Sequence, residues 1–147
     1  MKNIILIIST LLLMGCSQNN GHVGPIYGAW TLLEMSADGQ QLPIEGESTV
    51  FSFQGEIVQI THMLSAPDVY TKNFGNFSID QKELTFQFQS GLSGDEGYQY
   101  TAPAWLYFPS DGMPFQIQVT DLGTRNMDWQ FTTSEGTNYH YKFKKTW

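Results

Sequence analysis

One cysteine, Cys16, stands in a chain of 147 residues, so no intramolecular disulfide can staple the fold. The molecule must stand on a hydrophobic core. Roughly 130 residues suffice for one domain that buries about two-thirds of its unfolded surface. Positive charge is also scarce: seven Lys+Arg face fourteen Asp+Glu, a net charge of −7. A surface of that sign repels phosphate backbones and anionic headgroups, which argues against nucleic acid as a partner and against membrane attachment through a basic patch. No apolar run is long enough to cross a bilayer as a stable helix. The histidines, His22, His62 and His140, are scattered without metal-ligand spacing. Gly-x-Ser-x-Gly and a phosphate-cradling glycine loop are both missing. No catalytic constellation, cofactor or metal is therefore expected. Asp95-Glu96 is a carboxylate pair in a glycine-rich loop that solvates a turn.

The N-terminus is the most informative segment present. Lys2 supplies a positive start and Ile4 to Met14 an apolar stretch, the form of an export signal. It ends in Leu13-Met14-Gly15-Cys16. These four residues resemble the lipobox of bacterial lipoproteins. The resemblance implies cleavage after Gly15, a diacylglycerol on the Cys16 sulfur and a multiple-chain anchor far stronger than one acyl group. Ser17, in place of aspartate, implies passage to the outer membrane, facing the periplasm. Removing residues 1–15 takes away Lys2 and leaves six Lys+Arg against fourteen Asp+Glu, a net −8. Residues 16–25 then form the lipidated cysteine and a polar, Gly/Asn-rich tether. The nine residues after Cys16 stretch to about 30 Å at most and average nearer ~17 Å as a coil. The domain, residues 26–147, rides close to the bilayer.

From Tyr27 onward the apolar period is two. Leu84, Phe86 and Phe88 alternate with polar neighbours, as do Phe115, Ile117 and Val119, then Met127, Trp129 and Phe131, then Tyr139, Tyr141 and Phe143. Phe51, Phe53, Val58, Ile60, Phe77 and Ile79 extend the same pattern. Each run is a strand with one dry and one wet face. Turn signals at Asp38-Gly39, Gln54-Gly55, Asp80-Gln81-Lys82, Gly123-Thr124-Arg125 and Glu135-Gly136 separate them. The expected fold is all-β: one antiparallel meander of eight or nine short strands, without an amphipathic helix. Short hairpins favour closure into a barrel, which removes exposed edges.

Gly28-Ala29-Trp30 opens the first strand and resembles the Gly-x-Trp signature of lipocalins. There the tryptophan plugs the barrel floor under a basic side chain from near the chain end. Thr120-Asp121-Leu122, in the loop after the third-last strand, resembles part of a second lipocalin motif but lacks its tyrosine. The last strand offers Lys142 or Lys144 as the basic residue. The layout from Tyr27 to Trp147 is similar to the short lipocalin-like lipoproteins of Bacteroidetes.

The resemblance implies a barrel that binds one small apolar or amphipathic molecule. Trp30 would close the floor, Phe86, Phe88, Phe115, Ile117, Trp129 and Phe131 would line the interior, and Trp105 with Tyr107 would stand near the mouth. An eight-stranded barrel is just wide enough for side chains or one small ligand, and so many large residues can also fill it. The alternative is an inhibitor-like, non-catalytic interaction module with a filled core, whose acidic loops recognise a cationic protein. The segment 91–114 breaks the alternation, being rich in Gly and Pro yet carrying Tyr98, Tyr100, Trp105, Tyr107 and Phe108. It is either an irregular aromatic recognition surface or a further core strand.

Overall fold

The structure is a computed structural model that describes residues 24–44, 46, 48–64, 69–91 and 98–146. The export signal, Cys16 and most of the tether lie outside the described residues, as does the Asp95-Glu96 pair. Among the described residues ten strands form: β1 (Gly28–Ala37), β2 (Gln40–Leu42), β3 (Ser48–Gln54), β4 (Ile57–Met63), β5 (Tyr70–Asp80), β6 (Glu83–Gln87), β7 (Tyr98–Gln99), β8 (Phe115–Leu122), β9 (Asn126–Thr132) and β10 (Asn138–Lys145). Eight of them close in the order β1-β3-β4-β5-β6-β8-β9-β10, with β10 returning to pair antiparallel with β1. The expected meander barrel is therefore the observed one, with β2 and β7 as additions.

Alternation builds the wall. Along β3 every second residue (Thr49, Phe51, Phe53) is buried, and along β9 Met127, Trp129 and Phe131 are. Two bulges adjust the phase. Between Leu32 and Glu34 the pairing of β1 with β10 slips by one residue. Leu33 and Glu34 both face solvent, so the dry face passes from Trp30 and Leu32 to Met35. A second slip, between Val119 and Asp121, bends β8 where it pairs with β9. Thr120-Asp121-Leu122 thus completes β8 and does not form the loop that the sequence suggested. At the β1–β2 turn, Asp38 and Gly39 both adopt positive φ (48° and 81°), the geometry that two-residue hairpins need to match strand twist.

One pole of the barrel is closed by Trp30, which is wholly buried. Its indole N–H donates to Ile26 O at 2.7 Å, and the Lys145 ammonium lies 4.9 Å from the ring centroid. Lys145 also donates to Pro25 O at 3.0 Å, so one side chain clamps the entering chain onto the tryptophan. This corrects the expected Lys142 or Lys144. Those residues occupy the outward phase of β10, where Lys142 meets Glu34 at 3.0 Å. Tyr141, Phe143 and Lys145 share the inward phase.

Candidate functional site

The opposite end of the barrel is the mouth, ringed by Thr49, His62, Asn73, Phe88, Phe115, Phe131 and Tyr139. Six of β5's eleven residues outreach the short β6, which ends where Gln87 pairs with Asn76. 

Tyr70 to Gly75 lie beyond that last pair and leave the edge of β5 free of β6. There β7 takes over in parallel, with Lys72 opposite Tyr98 and Asn73 opposite Gln99. The buried Asn73 carboxamide fixes the handover, donating to Gln99 Oε1 at 3.2 Å and to Thr101 O at 2.9 Å. Gln89 N–H donates to Tyr100 O at 2.8 Å.

The chain then crosses the mouth. Pro103 starts a single 3-10 turn, Ala104–Leu106, which stops at Tyr107 in the left-handed region (φ 60°). The core strand that the sequence left open for Trp105 to Phe108 is thus replaced by this turn. Leu106 is wholly buried and Phe108 nearly so. Phe108 packs within 5.2–6.4 Å of Phe86, Phe88, Phe115, Phe131 and Tyr141, measured between ring centroids. The Tyr141 hydroxyl donates to Leu106 O at 2.6 Å. Burial pushes that hydroxyl far above the usual tyrosine range, with Tyr139 and Tyr107 adding to the rise.

Every interior residue that the sequence nominated is inside: Phe86, Phe88, Phe115, Ile117, Trp129 and Phe131 are all buried, and Trp30 is on the floor. They meet one another as rings. Phe86 stands edge-on to Phe115 at 6.0 Å and to Trp129 at 5.6 Å, and Trp129 lies 4.2 Å from Phe143. Among the described residues the Trp129 indole N–H is buried without a hydrogen-bond acceptor. Trp105 and Tyr107 do flank the mouth, on opposite sides. Trp105 lies 4.6 Å from the His62 ring, and Tyr107 stacks on Tyr139 at 4.8 Å. His62 is a buried rim residue, 3.0 Å from the Thr49 hydroxyl.

Sequence reasoning missed Leu106, Phe108 and Tyr141 as a unit. The available signal was Pro103 and Pro109, which bracket an apolar stretch too short and too interrupted for a wall strand. Beside the crossing segment runs a groove of about 800 Å³, whose rim carries the carboxylates of Glu83, Asp111 and Glu135 and no basic residue. Among the described residues no group of three or more His, Cys, Asp or Glu side chains could hold a metal ion.

The architecture is that of a lipocalin-like barrel. A lipocalin-like protein from Bacteroides uniformis has a similar structure: TM-score 0.61 at 22% identity, over 83% of this chain and 99% of that one. No family model matches the chain, and no curated protein does.

Proposed function

We propose that this is a lipid-anchored, non-catalytic binding protein of the bacterial envelope that takes a small apolar or amphipathic molecule at the barrel mouth. The observation that carries the proposal is the plug. Leu106 and Phe108 come from a crossing segment and not from the wall, so their displacement would free an aromatic-lined space without breaking the barrel. Small-molecule sites have this character, apolar walls with few polar groups. The Tyr141 hydroxyl, released from Leu106 O, and the unpartnered Trp129 N–H would be the two donors for an acceptor on the ligand.

Tryptophan emission titrated with fatty acids and retinoid-like probes tests this. Saturable quenching is expected, tighter in Phe108→Ala, which vacates the space. Absence of any emission change in both forms would overturn it. The anchor is tested separately: Cys16→Ala should lose labelling by palmitate and leave the membrane fraction.

A second reading has its own support. The interior rings pack on one another, and the mouth groove is acidic. A cationic protein partner would dock there in a salt-sensitive manner. Capture from envelope extract at low but not high salt, lost on Glu83→Gln with Glu135→Gln, would favour it over ligand binding.

A further inference from the structure

The outer wall carries a second concavity, about 450 Å³, between β5, β6 and β7. Its aromatic part is Phe74 with Tyr98 and Tyr100. The Phe74 and Tyr98 rings are nearly parallel (11°) with centroids 5.9 Å apart, and Tyr100 lies 6.1 Å from Phe74. Both tyrosines are exposed, each 44%. Its polar part is three carboxamides, Asn76, Gln87 and Gln89. Gln87 gives its side-chain amide N–H to Gly112 O at 3.3 Å, and no hydrogen bond among the described residues occupies the side-chain carboxamides of Asn76 or Gln89. Among the described residues no charged side chain lines the groove. Lys72 stands behind it, its ammonium held over the Tyr70 and Tyr98 rings at 5.0 and 5.4 Å.

We propose that this groove binds a neutral saccharide. A π face is electron-rich and attracts the polarised C–H groups on the flat face of a sugar ring. Carboxamides both donate and accept, which suits a ring of hydroxyls. An ammonium ligand would find no countercharge among the described lining residues, and the nearby Lys72 ammonium is already held over the Tyr70 and Tyr98 rings. An added peptide strand would need a free sheet edge, and β7 already occupies that of β5. The site is independent of the barrel mouth and stands or falls without it.

Calorimetry on the purified full chain, in a detergent without a sugar headgroup, tests the proposal. The probes are α- and β-linked neutral hexasaccharides of glucose, mannose and galactose, with a hexagalacturonate as the charged control. Saturable binding of at least one neutral probe is expected, weakened about tenfold or more by Tyr98→Ala and by Tyr100→Ala. Tyr98→Phe and Tyr100→Phe should keep most of it, because stacking needs the ring and not the hydroxyl. These side chains are exposed, so circular dichroism should be unchanged. No binding of any neutral probe at about 10 mM, equal binding of the charged hexamer, or indifference to both alanines would each overturn the assignment.

Discussion

Four residues concentrate the energetics. Trp30 to Ala should cost about 3–5 kcal/mol, since it removes the largest side chain of the floor and its bond to Ile26 O. Lys145→Met keeps the apolar stem but loses a hydrogen bond and a cation–π contact, an expected loss of about 1–2 kcal/mol in urea unfolding. Gly75→Ala places a methyl group 2.7 Å from the Phe88 ring, so the ring or the strand must move. A loss of about 1–3 kcal/mol is expected. Tyr141 sets a pH dependence. Its pKa is raised by folding, so its contribution is whole below the unfolded value near 10 and falls as pH climbs above it, when only the unfolded chain ionises. Tyr141→Phe should flatten the alkaline fall of stability, measured by denaturant midpoints between about pH 9 and 11. Lys145 was legible in principle, because the period that puts Tyr141 and Phe143 inside continues to it. The Tyr141–Leu106 bond was not, because 35 positions separate the partners and neither residue type announces the other.

Among the elements, the wall and the plug differ in kind. Wall strands rest on ladders that continue from neighbour to neighbour, and their alternation made them readable before any coordinates. The bulge at Leu33 hid one step, since it puts two consecutive residues outside. The plug has no period. Its position depends on where β5 outruns β6 and on one carboxamide, Asn73, which a sequence pattern does not encode. Its internal amide bonds are Leu106 N–H to Pro103 O and Tyr107 N–H to Ala104 O, both 3.1 Å. Hydrogen exchange at these two amides should proceed by local opening, faster than at buried wall amides such as those of Phe51 or Trp129. Equal protection would show that the plug opens only when the barrel unfolds.

At the scale of the whole molecule, closure requires the first strand to find the last. Trp30 pairs with Lys145, so the seam joins nearly the full length of the domain. Such non-local pairing predicts refolding in milliseconds to seconds by stopped-flow tryptophan emission, slower than a helical bundle of similar size. The absence of disulfides puts this burden on packing alone.

The seam also gives the molecule a direction. Both ends of the described domain lie beside Trp30, with Pro25 held by Lys145 and Thr146 N–H bonded to Ala29 O at 2.8 Å. Under the anchoring proposed above, the tether from Cys16 would join the domain on the tryptophan side, at the pole opposite the aromatic plug. A ligand of the kind proposed would then reach the plug from solution and not by sliding up from the leaflet.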